Sequence, residues 1–377
     1  MTFLELFFDL VFVVVISQLA HRLAQHPDGP GVGWFVFLFY AVWSSWINGT
    51  LYYDLHGTND VSVRVFTFTQ MLAVAVMGAF IGDVPGAGSK GFALAYAANT
   101  FILVILWFRT GLHDPHHRSA SIPYSTAYLL AAVLFVVSAG VGEPARYWLW
   151  ALALVIEVLG YVIGMHLWTP PTSQQGDATI ATTPSLIERL GTFVIIVLGE
   201  VIVGAVNGMG QISPLVWDEI VIGMQGVLVA IGLWWIYFDL VSHREPVSTR
   251  TQLWLYLHLP LVIAIAAGGA GVLNAIERAA EPLPDEVRWL LVGSLAAAVF
   301  SVAILTRTLA VRRSVPEIYT RVEAAMLVSG VLILGVGLTD WGAKASITAM
   351  VVLLLAPVVA GLAVWLKRPE PDIVDIE

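Results

Sequence analysis

The chain has 377 residues, of which 58% are hydrophobic and only 12% charged, and its mean hydropathy is +0.83. Soluble domains carry about 25% charged residues, so this composition excludes a soluble globular protein and predicts an integral membrane protein. A formal net charge of -9 provides no basic stripe for phosphates and argues against nucleic acid as a partner, and the lack of cysteine excludes disulfides, thiol nucleophiles and thiolate metal sites.

A bilayer core about 30 Å thick is crossed by about 20 mostly apolar residues of α-helix. In chain order, twelve such runs fall at 4–25, 31–55, 63–83, 91–112, 122–142, 145–168, 184–208, 214–241, 251–277, 287–310, 317–338 and 343–366, separated by proline, glycine and charge. The predicted fold class is therefore all-α, a polytopic helical membrane protein of about 12 transmembrane helices. Continuous stretches such as MVVLLLAPVVAGLAVWL do not fit the alternation of a barrel strand. The first run opens on acidic residues, has no basic segment before it and ends in Gln18 and His21 without a small-residue cleavage pattern. It reads as a retained helix, not a signal peptide.

Basic residues are kept on the cytoplasmic side. On the side of the amino terminus lie Arg64, Arg109, Arg118, Arg189, Arg244, Arg250, Arg307, Arg312, Arg313, Arg321, Lys367 and Arg368; the opposite side keeps six, Arg22, Lys90, Arg146, Arg278, Arg288 and Lys344. Both termini are expected in the cytoplasm.

The longest polar connection, TPPTSQQGDATIATTP, suggests a hinge between two halves: 1–168, a linker at 169–183, and 184–368, followed by an acidic tail at 369–377. The halves resemble each other. LELFFDLVFVV aligns with IERLGTFVIIV, placing Glu5 over Glu188, and YYDL aligns with YFDL, placing Asp54 over Asp239. QML aligns with HLP, placing Gln70 over His258, and Arg109 matches Arg307. Four matches in order predict a duplication, and six helices per copy predict a parallel repeat.

Charges inside a bilayer cost a few kcal/mol or more and are seldom idle, so they supply the candidate site. Glu5, Asp9, Asp54, Arg64, Glu188, Arg189 and Asp239 fall at one level near the cytoplasmic surface, with Glu5 and Asp9 on one helix face. One reading makes them interfacial acids that complement helix starts and pair with Arg64, Arg189, Arg109 or Arg307. The other makes them the lining of a cytoplasm-facing cavity. Glu200 lies deeper, twelve residues past Glu188 or about 18 Å along the helix, and Glu157 sits near the middle of its run. Gln70 and His258 lie about two turns inside their helices, and Asn48, Asn99 and Gln225 add uncharged groups at depth. A Glu beside a His would make a proton relay. His113, His116 and His117 in HDPHHRS read better as a solvated loop than as a metal site, because no partner cluster has ligand spacing.

ELFFDLVFV and ERLGTFVIIVLGE resemble the two signature segments of the bacterial low temperature requirement protein A family, and WINGTLYYD, WWIYFDL and YLHLPL fit the same pattern in order. The resemblance covers nearly the whole chain. It implies a bacterial multi-pass inner membrane protein and marks Glu5, Asp9, Asn48, Tyr52, Glu188, Arg189, Gly191, Glu200, Tyr237, Asp239 and His258 as functional candidates. Many members carry a His three residues before the Glu-Arg pair, where this chain has Ser185.

Three function classes follow. The leading one is a permease-like protein, a proton- or cation-coupled secondary transporter of a small solute. In it Glu200, His258 and Glu188 bind the proton or cation, and Glu5, Asp9, Asn48, Tyr52, Asp54, Gln70, Arg109, Arg189, Tyr237, Asp239 and Arg307 form the substrate site or gate. The second is an intramembrane enzyme acting on a lipid or isoprenoid substrate, and the third a non-catalytic sensor or assembly factor. The expected partners are the lipid bilayer and a small-molecule or lipid substrate; no motif specifies a cofactor or a metal.

Overall fold

In the computed structural model, which describes residues 2–56, 61–115, 118–167, 183–210, 216–279 and 281–365, the apolar runs form helices. They are α1 (Phe3–Gln25), α2 (Gly29–His56), α3 (Val61–Ile81), α4 (Ser89–His113), α5 (Arg118–Ala139) and α6 (Ala145–Leu167), then α7 (Pro184–Gly210), α8 (Trp217–Leu240), α9 (Thr251–Glu277), α10 (Asp285–Thr306), α11 (Pro316–Val336) and α12 (Ala343–Trp365). All twelve are long and apolar enough to cross a membrane. Most of the linker at 169–183, the tail at 369–377, His116 and His117 lie outside the described residues.

The outward faces are as apolar as the inward ones. Leu72, Phe108, Val331 and Val352 are among the exposed large hydrophobic side chains, on α3, α4, α11 and α12. In water such faces would aggregate; against lipid tails they cost nothing. Close approach between helices is made by small residues. A Cβ on Gly204 of α7 would stand 3.1 Å from the Gly269 carbonyl oxygen of α9, so these two backbones meet directly.

The chain divides into two compact units, Met1–Arg22 with Pro30–Arg189 and Leu23–Gly29 with Leu190–Glu377. In the first, α3 packs on α4, α4 on α5 and α5 on α6. Here α2 is enclosed on every side from Ala41 to Tyr53, and its polar side chains reach four other helices. In the second, α9 packs on α10, α10 on α11, α11 on α12, and α8 on both α9 and α12. Of these, α9 and α10 are the most enclosed and α12 the least.

Helix α10 ends at Thr306, earlier than hydropathy alone places it, because the chain turns back to make a backbone joint. Val247 N–H donates to Thr308 O at 2.8 Å and Ala310 N–H to Glu245 O at 3.0 Å, and Pro246 and Leu309 form an antiparallel bridge. The α8–α9 and α10–α11 connections are thereby tied together.

Candidate functional site

The first carboxylate of the chain caps a helix. Glu5 Oε2 accepts the Thr2 N–H at 2.6 Å while Thr2 Oγ1 accepts the Glu5 N–H at 3.3 Å, a reciprocal pair that satisfies donors at the start of α1. One turn on, Asp9 is in a different setting. Its side chain is 0% exposed, and Oδ1 accepts from Arg189 Nη2 at 2.9 Å and from the Trp46 indole N–H at 2.7 Å. Arg189, on the second turn of α7, is 1% exposed, and its guanidinium lies 5.8 Å from the centre of the Phe8 ring.

Part of this ion pair's hydrogen-bonding capacity is not met by the protein. Asp9 Oδ2 and Arg189 Nε and Nη1 are buried without hydrogen-bond partners, as are Gln70 Nε2 and Thr50 Oγ1 in the same unit. A Cβ added to Gly49 would stand 3.3 Å from Phe8 Cζ and 3.7 Å from Gln70 Nε2, which brings the Gln70 amide to the same locus. Buried polar groups are nearly always satisfied, so a cluster of unsatisfied ones marks strain or an interior polar chamber.

Around α2 the remaining polar groups form pairs. Tyr53 OH donates to Gln70 Oε1 at 2.7 Å. Tyr52 OH meets Thr110 Oγ1 at 3.1 Å. Asp54 is half-buried, accepts a hydrogen bond from Thr183, and lines a cavity of about 20 Å³ with Asn48, Leu51, Trp107, Tyr124 and Tyr128. Arg109 is exposed and donates to Ser62 Oγ at 2.9 Å.

Glu157, placed near the middle of its run by the sequence, has no counterpart in the alignment of the two halves. It is buried on α6 and takes Ser44 Oγ–H at 2.8 Å, Tyr96 O–H at 2.9 Å and Asn48 Nδ2–H at 3.4 Å, all on Oε2. Its place in mid-helix was the available signal; its donors come from α2 and α4, and no spacing rule joins them.

In the second unit Glu200 is buried on α7, close to where α7 meets Gly269 of α9. His258 is buried on α9 with both ring nitrogens engaged. Nδ1 lies 2.8 Å from Trp254 O and Nε2 3.0 Å from Tyr237 OH. A carbonyl only accepts, so Nδ1 carries the proton, and in the neutral ring Nε2 accepts from the tyrosine. Neither nitrogen is left for Glu200, so the structure does not bring these two together as the expected relay.

The repeat alignment paired Tyr52 with Tyr237, yet the tyrosine bonded to Gln70 is Tyr53, one residue on. Glu188 and Asp239 are exposed. Asp239 opens on a pocket of about 700 Å³ with Arg244, Tyr319, Val322 and Leu362 among its lining. Arg307 is half-exposed, and its Nε lies 3.3 Å from Glu323 Oε2. Glu323, not singled out by the sequence, is buried on α11 and also holds Arg312 at 2.7 Å and Thr306 Oγ1–H at 3.0 Å. The hydrogen bond to Glu323 raises the Arg312 pKa above its ordinary value. Among the described residues no group of three or more His, Asp or Glu side chains is placed to hold a metal ion.

The family model described as bacterial low temperature requirement A protein (LtrA) matches residues 1–356. A protein of Rhizobium meliloti (strain 1021), titled "Uncharacterized protein RA0937", is 31% identical over 289 residues, covering 72% of this chain and 68% of that protein.

Proposed function

The chain belongs to the bacterial low temperature requirement A family and is a multi-pass helical membrane protein, and on that premise we propose that it is a secondary transporter coupling a proton or cation to the movement of a small solute. The observation that carries this reading is the buried Asp9–Arg189 pair with three of its polar atoms unsatisfied. A buried ion pair adds little net stability over apolar residues of the same size, so its use is better sought in switching. Protonating Asp9, or bringing an anionic group to the Nε and Nη1 edge of Arg189, which no protein group satisfies, would release the two side chains from each other. Alternating access needs contacts of that kind, stable in one state and dispensable in the other.

In this reading Glu200 serves the coupling ion in the second unit, and Glu188, at the exposed start of α7 in the first, lies on the cytoplasmic approach. Asp54 and Asp239, near the ends of α2 and α8, line the approaches together with Arg109 and Arg307. Asn48, Tyr52 and Gln70 shape the interior, Glu5 fixes the start of α1, and Tyr237 fixes the His258 ring. The two units are copies of one six-helix fold. The recurring order of helix neighbours supports this: α3 to α6 in one unit, α9 to α12 in the other. The twelve-to-six distribution of basic residues supports placing both termini in the cytoplasm, with the protein in the bacterial inner membrane.

The test is flux in proteoliposomes with an enclosed pH dye, an imposed proton gradient and a mixture of small metabolites outside. Metabolite-dependent proton movement is expected, and Asp9→Asn and Glu200→Gln should each reduce it at least about tenfold while the protein stays folded, the loss of one essential charge-assisted contact being worth about 1.4 kcal/mol or more. Undiminished flux in both variants would refute the assignment. Because the chain has no cysteine, single cysteines near residues 28 and 142 should react with impermeant reagents only from outside, which checks the orientation.

A second reading, an intramembrane enzyme acting on a lipid or isoprenoid, is favoured by the Asp239 pocket. Its size suits a ligand of a few hundred Å³, and its walls of Val322, Pro357 and Leu362 are apolar beneath the polar Arg244 and Tyr319. Mass spectrometry of lipids before and after incubation with the purified protein would detect such turnover.

A further inference from the structure

We infer that Glu157 is a proton-binding site in the interior of the first unit, with access to it through the small cavity that runs from Asn48 to Asp54. The hydrogen bonds around this carboxyl are one-sided. Ser44, Tyr96 and Asn48 all direct donors at Oε2, and among the described residues none reaches Oε1. An ionised carboxylate presents two equal acceptors and would draw donors to both oxygens. A carboxylic acid presents one strong acceptor, its carbonyl oxygen, and one hydroxyl. The arrangement matches the acid, with the proton on Oε1.

The surroundings point the same way. Among the described residues no charged side chain forms an ion pair with Glu157, and its contacts from α2 and α4 are neutral, Tyr96 being the one titratable group among them. An isolated charge in such a place costs several kcal/mol, whereas a neutral acid is accommodated with Ser44 and Tyr96 on the two lone pairs of its carbonyl oxygen and Asn48 farther off at 3.4 Å. Tyr96 is itself held by stacking on Phe135, with ring centroids 4.1 Å apart, so the donor geometry is fixed. A cation ligand would need the reverse arrangement, with oxygen lone pairs converging instead of hydrogens.

Access runs along α2. Asn48 donates to Glu157 and also lines the cavity of about 20 Å³ that ends at Asp54. That volume admits about one water molecule, and the walls offer it partners. They include the amide of Asn48, the Asp54 carboxyl, and the Trp107 indole N–H, which is buried without a hydrogen-bond partner in the protein. A water held there would link Asp54, at the end of α2, to the Asn48 amide beside Glu157. The proton moves as H⁺ between water and Oε1, with no other bond made or broken.

The use of this proton in coupling rests on the transporter reading, but its binding does not, so the two are tested separately. Infrared difference spectra of the purified protein in lipid nanodiscs, taken between acid and alkaline pH, should contain a carbonyl band of a buried protonated acid that Glu157→Gln removes. Tyr96→Phe and Ser44→Ala each remove one donor to the carbonyl oxygen and should shift that band to higher frequency, a change that a packing role alone would not give. Asp54→Asn should leave the band in place but slow its response to exchange into D2O at least about tenfold, that is, by about 1.4 kcal/mol in barrier. Spectra of a folded Glu157→Gln variant identical to those of the parent overturn the site. Should that variant fail to fold, a band unmoved by both Tyr96→Phe and Ser44→Ala overturns it equally. A band that behaves as expected in a protein that moves nothing across liposomes supports the site and refutes the transporter.

Discussion

Replacing Asp9 with leucine would strand Arg189 at a position 1% exposed, without its ion-pair partner and with the Phe8 ring 5.8 Å away. Removing one member of a buried ion pair costs about 3–5 kcal/mol, mostly because the other charge stays behind unpaired. Arg189→Met should cost about as much, since Asp9 would keep only the Trp46 indole bond, worth about 1.5–3 kcal/mol to a charged acceptor. The double variant behaves differently. Apolar side chains of matching volume remove both desolvation costs, and the further loss is the Trp46 N–H bond to Asp9, worth about 1.5–3 kcal/mol. The double variant should therefore lie within about 2 kcal/mol of the parent, giving a coupling energy of several kcal/mol where independent sites would give about 0.5 or less. Unfolding in mixed detergent titrations, followed through the fluorescence of the 14 tryptophans, measures all four corners of the cycle. Single substitutions that cost less than about 1 kcal/mol, or costs that simply add, would show that the pair is hydrated, and the argument from its burial would fail.

A Cβ on Gly160 would stand 2.2 Å from the Cβ of Ala127, which has no side chain to swing away, whereas nothing lies within 4 Å of one on Gly33. Gly160→Ala should therefore cost about 1–3 kcal/mol, and Gly33→Ala should be neutral or stabilising by up to about 1 kcal/mol, in the same unfolding assay. Glu323→Leu removes the acceptor of Arg307, Arg312 and Thr306. Both arginines are exposed enough to rehydrate, so its cost should stay near about 1–2 kcal/mol, and a loss above about 4 kcal/mol would contradict that reasoning. His258→Leu leaves the buried Tyr237 hydroxyl without its partner and should cost about 1–3 kcal/mol, most of it recovered by adding Tyr237→Phe.

The helices were legible because hydropathy is summed over about 20 residues, which averages out local ambiguity. Which faces meet was not, because helix rotation depends on packing between segments far apart in the chain. Asp9 and Arg189 were both picked out, yet four arginines competed as partners, and only the fold joins residues 180 positions apart. Glu5, read as a possible gate, caps its own helix, a role written in the local pattern Thr2-x-x-Glu5. Glu157 announced itself by charge in mid-membrane, but its donors Ser44 and Tyr96 look like ordinary packing residues until three helices are assembled. Glu323 does not figure in the sequence analysis, although the arginines at 307, 312 and 313 just before it were a usable sign.

The joint between residues 245–247 and 308–310 is made almost wholly of peptide groups. Such a fastening is indifferent to which side chains the two loops carry, so their spelling is free to drift. Their length is not, since an inserted or deleted residue would shift the peptide partners out of step, and a proline at 247 or 310 would delete a donor outright. The relatives should therefore vary in composition here while keeping the count, and indels in this pair of loops should be as damaging as substitutions are mild.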